Sequence, residues 1–153
     1  MDQLRLASFR VERRSVAVAI FVGHQLDYTE TRQLPNDSER ASASLTGFIN
    51  WVLDSFRVDL SAIELIDSGL EIRRAELTKL TIAILREEAI PISEVTKLEL
   101  FTAFGVPALT SRKELRECAA SIWPILTNSQ AGAGILDAAA LGAYIETDRL
   151  FNH

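Results

Sequence analysis

Glu64 is an acid set inside an apolar run. It lies in "SAIELIDSGLEIRR", Ser61 to Arg74, where a short strand-like stretch gives way to a polar break and then a helical pattern. A carboxylate in such a stretch has two readings. It faces water, or it stands at the end of a sheet where a hard divalent cation takes oxygen ligands. Arginines form the second chemical group. Arg10, Arg13 and Arg14 come early, Arg73 and Arg74 close the run around Glu64, and Arg112 and Arg116 come late, with Lys113 between them. Gathered on one face they would hold phosphates; scattered, they are solvated surface charges. Other candidates are weaker. His24 falls in a turn and His153 is the last residue, and neither has a nucleophile beside it. Cys118 sits in a helical pattern and reads as a small buried residue. Gly132 and Gly134 lack the Gly-Lys-Ser/Thr ending of a phosphate loop.

The elements that must position these residues follow from periodicity. Leu4, Leu6, Ser8 and Val11 suggest a first strand, Val16–Val22 a second, and Leu26–Leu34 a half-exposed third. Gly23-His24-Gln25 turns the second strand into the third, so the opening is an antiparallel meander. Asp37 or Ser38 caps a helix whose apolar positions Leu45, Phe48, Ile49, Val52 and Phe56 recur at helical spacing. A fourth strand is expected over Ala62–Ile66, a helix over about Arg73–Glu88, and a fifth strand over Ile92–Val95. A short helix over Lys97–Phe104 stops at Gly105. Ser111-Arg112-Lys113-Glu114 fits a capping box for a helix running to about Ile122. Thr127–Gly134 reads as loop and Leu136–Leu150 as the last helix. Three strands followed by alternating strands and helices make an α/β fold: a mixed five-stranded sheet with helices on both faces.

Composition sets the outer bounds. The chain has 153 residues, 48% of them hydrophobic, which suits one globular domain over 1–153. Its single cysteine excludes an internal disulfide and a CxxC zinc site, and points to the cytoplasm. No apolar run has the length of a membrane span, and Met1–Arg14 lacks the apolar centre of a signal peptide. The net charge of −5 does not suit a globally basic nucleic-acid module.

Four segments carry a family resemblance: "LRLASFRVERRSVAVAIF", "SAIELI", "GVPALTSRKELRECAASIWPIL" and "DAAALGAY". In order and spacing they resemble the RuvC-like Holliday junction resolvases, whose fold is ribonuclease H-like. The resemblance spans nearly the whole chain. It implies a nuclease centre in which carboxylates from strand one, strand four and the last helix hold two divalent metals that act on a phosphodiester. Residue by residue, Glu64 falls on the strand-four acid and Asp137 on the last-helix acid, so these two are the expected catalytic and metal-binding remnants. Asp137 also suits the first turn of a helix, where an acid complements the dipole. The strand-one acid is missing: Phe9, or Ser8 after a one-residue slip, stands there. Gly134 occupies the place of a further acid one turn before Asp137. Glu12 or Asp67 is a conceivable substitute.

The resemblance therefore implies a catalytically degenerate relative that binds nucleic acid, either DNA or RNA, or a protein partner. Arg10, Arg13, Arg14, Arg73, Arg74 and Arg112 are then the candidate nucleic-acid contacts. The alternatives are a divergent but active nuclease using Mg or Mn, and a purely regulatory interaction module. No cofactor is expected unless the protein is active. The resemblance also implies a homodimer, through helix faces near Trp51 or Phe104, and no membrane association.

Overall fold

In the computed structural model the described residues are 3–66, 71–105, 112–127 and 132–151. A five-stranded sheet of order β3-β2-β1-β4-β5 is built from β1 (Arg5–Val11), β2 (Ser15–Val22), β3 (Gln25–Gln33), β4 (Leu60–Glu64) and β5 (Ile92–Val95). β1, β2 and β3 are antiparallel, while β4 and β5 run parallel to β1. The expected mixed sheet is therefore present, and β1 lies at its centre. β1 is buried on both faces from Leu6 to Val11, as a central strand covered by helices must be.

The helices cover both faces. α1 (Ser38–Phe56) and α2 (Ile72–Glu87) pack on one side, over a core containing Ala7, Phe9, Val18, Ile20, Phe48 and Ile63. α3 (Lys97–Ala103), α4 (Arg112–Ile122) and α5 (Gly132–Phe151) pack on the other, over Leu6, Ala19, Phe21, Ala62, Phe101 and Leu141. Alternation along β1 sends Phe9 to the first layer. Ser8, two residues before Arg10, has its hydroxyl on the α5 side, where it donates to the Ala138 carbonyl at 2.7 Å. Of the two strand-one positions, Ser8 is thus the one that faces the last helix.

α1 begins as expected, with the Asp37 carboxylate accepting from the Arg40 amide at 2.9 Å. α3 has a cap that periodicity did not mark: Thr96 and Glu99 form a reciprocal capping box. The capping box expected at Ser111 lies outside the described residues. Two boundaries differ from expectation. β4 runs two residues earlier than its apolar content suggests, because its parallel register pairs Leu6 with Leu60 and Phe9 with Ile63. Glu64 therefore ends the strand instead of lying mid-strand. α5 starts at Gly132, inside the expected loop. Glycine is a poor helix former, but small residues let this helix lie against the sheet. A Cβ on Gly142 would overlap the Phe21 ring, and one on Gly134 would sit 3.2 Å from the Ala17 Cβ.

Candidate functional site

The parallel pairing of β1 with β4 carries Arg10 and Glu64 to the same end of the sheet, and α5 lays Asp137 across that end. The side chains of all three are buried, at 5%, 4% and 0% exposure respectively. Glu64 does not face water; it belongs to a buried charge cluster. Arg10 Nη1 donates to Glu64 Oε2 at 2.9 Å, and its Nε lies 3.7 Å from Asp137 Oδ2. From α4, Arg112 bonds both oxygens of Glu64 through its two terminal nitrogens. One of those nitrogens, Nη1, lies 3.0 Å from Glu64 Oε1 and 3.3 Å from Asp137 Oδ1, so a single guanidinium separates the two carboxylates. Arg116, one turn further along α4, reaches Asp137 Oδ2 through Nη2 at 2.9 Å. The two acids expected to share a site do share one, and three guanidinium groups fill it.

Forked, charge-assisted contacts of this kind are the strong class of hydrogen bond. Burial opposes the charge on Arg112. Its hydrogen bonds to Glu64, followed by the charges of Glu64 and Asp137, outweigh that opposition and raise its pKa above the usual arginine value. No buried side-chain nitrogen or oxygen among the described residues is left without a partner, so the cluster closes on itself.

The residues present do not fit a divalent metal centre. A magnesium site needs carboxylate oxygens that point into a shared space; here those oxygens are turned onto guanidinium nitrogens. Among the described residues no group of three His, Cys, Asp or Glu side chains could hold a metal ion. Ser8 supplies no charge, and its hydroxyl is committed to Ala138. Glu12 does not substitute, since it accepts from Arg10 Nε at 2.6 Å and lies 3.7 Å from Arg74. Asp67 lies outside the described residues.

The six arginines expected to contact nucleic acid separate into three groups. Arg10 and Arg112 belong to the charge cluster on Glu64 and Asp137, with Arg112 16% exposed. Arg73 and Arg74 are spent largely on local structure. Arg73 donates to the carbonyls of Arg13, Pro35 and Asn36, and Arg74 donates to Val11 and to Glu71. Arg13 and Arg14 are exposed in the β1–β2 turn. Arg116 was not among the expected site residues, although its signal was legible: Arg112 and Arg116 are four apart, hence on one face of a helix. The presence of Arg10 at the site also followed from Ser8, since residues two apart share a strand face.

The sheet order and the flanking helices define a ribonuclease H-like fold, as in RuvC. Thermus thermophilus RuvC is similar over 96% of this chain and 96% of that chain, with a TM-score of 0.75 and 13% identity. The yeast mitochondrial Holliday junction resolvase is similar over 99% of this chain and 85% of that one, with a TM-score of 0.70 and 10% identity. The Fowlpox virus resolvase, in complex with substrate Holliday junction DNA, is similar over 96% and 99% respectively, with a TM-score of 0.66 and 12% identity. No protein-family model and no curated protein matches the sequence. At these identities the likeness is one of fold. Among the described residues no helix is long and apolar enough to cross a membrane.

Proposed function

We propose that this chain is a non-cleaving protein of the resolvase fold that works by binding, with nucleic acid as its ligand. The observation that supports this reading is the trio Arg10, Arg112 and Arg116 on the carboxylates of Glu64 and Asp137. Cleavage by two metals requires those oxygens for the ions. An incoming magnesium would have to displace charge-assisted hydrogen bonds and approach three fixed positive charges, and no acid stands at Ser8 to bridge a metal pair. The arginines are thus expected to leave the fold without its cleavage chemistry. An active Mg- or Mn-dependent nuclease, the alternative, would require Arg112 and Arg116 to swing out of the centre.

Nucleic acid is favoured over other ligands by the exposed Arg13 and Arg14 and by the likeness to a resolvase seen with junction DNA. A protein partner is a second reading. It draws on the exposed apolar side chains Leu98, Ile122 and Ile125, the last of them 79% exposed. The homodimer remains part of the proposal, with the partly exposed Trp51 on α1 as a candidate contact.

The test uses purified protein, a four-way DNA junction and a duplex of the same length. Incubation with magnesium or manganese should yield no cleavage, and calorimetric titration of either ion should show no saturable binding. Binding to the junction or the duplex should persist in EDTA. Magnesium-dependent cleavage that disappears in Asp137→Asn would overturn the reading in favour of the nuclease. Absence of DNA binding at low salt would move it to the protein partner.

A further inference from the structure

Beside the buried cluster lies an open cleft of ≈ 240 Å³, lined by Arg10, Glu64, Glu71, Arg74, Lys97 and Arg112 among others. Its volume is several times the share of one liquid water molecule, so a tetrahedral oxyanion fits together with ordered solvent. Four cationic side chains and two carboxylates line it. Both carboxylates are already engaged: Glu64 by Arg10 and Arg112, and Glu71 by Arg74 at 3.0 Å. Lys97 differs from the others. Among the described residues its ammonium has no hydrogen bond and no ion pair, and its one polar-type contact is with the face of Phe101 at 5.3 Å. The guanidinium of Arg112 stands over the same ring, also at 5.3 Å. Phe101 is fully buried and holds two cations at the cleft wall. Only one of the two is balanced by an acid.

We propose that this cleft is a metal-independent binding site for a phosphate group, held by Lys97 with Arg74 and Arg112. An anion placed there meets the unbalanced ammonium and the outward edges of two guanidinium groups whose other nitrogens are fixed by carboxylates or carbonyls. Guanidinium nitrogens held in place on one side present their remaining N–H groups at little entropic cost. The proposal rests on the binding reading above and adds the chemistry by which the site recognises its ligand. Two sources carry a phosphate group: the backbone of a nucleic acid, and a small phosphorylated molecule.

The experiment uses the full chain in EDTA, with inorganic phosphate followed by NMR titration and a short DNA duplex followed by fluorescence anisotropy. Lys97→Gln removes the charge at a surface position. It should weaken both ligands by roughly two- to fivefold, the range of one exposed charge contact. Arg86→Gln, a charge lost at the opposite end of α2, should change neither. Circular dichroism confirms that both variants are folded. If phosphate binds and responds to Lys97→Gln while the duplex does not bind, the site stands with a small phosphorylated ligand, and the nucleic-acid reading fails. If the duplex binds but neither its affinity nor a phosphate titration responds to Lys97→Gln, this site is overturned and the binding reading survives. If neither ligand binds at low salt, both are overturned.

Discussion

Replacing Glu64 with Gln separates an arginine cluster from a metal site by the sign of its effect. In a group of acids poised for metal, neutralising one relieves repulsion, and the metal-free protein becomes more stable. Here Glu64 is the anion that Arg10 and Arg112 share, and Arg10 is almost fully buried. Breaking a fully buried ion pair from one side costs about 3–5 kcal/mol, because a charge is left without its partner. Two features reduce that figure. Arg112 is 16% exposed and can recover some hydration, and Arg10 keeps Glu12 at 2.6 Å. A loss of about 2–3 kcal/mol remains, after discounting the buried-pair range. For a chain of this size that is a fall in Tm of roughly 4–12 °C. The assay is thermal and urea unfolding of Glu64→Gln against the parent, both in EDTA. The double variant Glu64→Gln with Arg112→Gln should show coupling, losing less than the sum of the single variants. An unchanged or higher Tm for Glu64→Gln would refute the cluster as a stabilising centre and revive the metal site.

Three further outcomes follow from the geometry. Gly142→Ala should destabilise by about 1–3 kcal/mol, since its Cβ meets the Phe21 ring in a packed core and the overlap exceeds the helical gain of alanine; Phe21→Leu in the same chain should recover part of the loss in urea unfolding. The Tyr28 phenol should titrate above its ordinary value, chiefly because it donates to Glu30 and secondarily because it is partly buried. A raised folded pKa keeps the proton on the native state, so this contribution to stability is complete below about pH 10 and is lost as pH rises beyond it; phenolate absorbance should report the shift, and Glu30→Gln should remove most of it. Ser8→Asp should not create a metal site: it sets a carboxylate against the Ala138 carbonyl while Arg112 and Arg116 still hold the other acids, so calorimetry with magnesium should stay flat and Tm should fall.

Much of this protein was legible in the linear chain because its signals are local. Alternation and β-branched residues mark β2, the Asp37 cap and the repeat Leu45–Phe48–Ile49–Val52 mark α1, and Gly105, in a left-handed conformation (φ 69°), closes α3. The order of elements led to the mixed sheet, and the resemblance to the RuvC-like resolvases led to Glu64 and Asp137. The ends of β4 and α5 were not legible. Apolar content cannot fix a parallel register, which depends on which residue of β1 lies alongside. Gly134, which reads as loop, lies within α5 where the sheet comes so close that an added Cβ would sit 3.2 Å from the Ala17 Cβ. The charge balance of the site was decided by tertiary structure alone. Arg112 and Arg116 stand 48 and 21 residues away in sequence from the acids they meet, and Arg10 stands 54 from Glu64. Spacing puts Arg112 and Arg116 on one helix face and Arg10 on the strand face of Ser8, but it does not say what those faces meet. Only the packing of α4 and α5 onto the end of β1 and β4 buries Arg10, partly buries Arg112 and Arg116, and turns all three onto the two buried carboxylates, because a buried charge must find its opposite or forfeit its solvation.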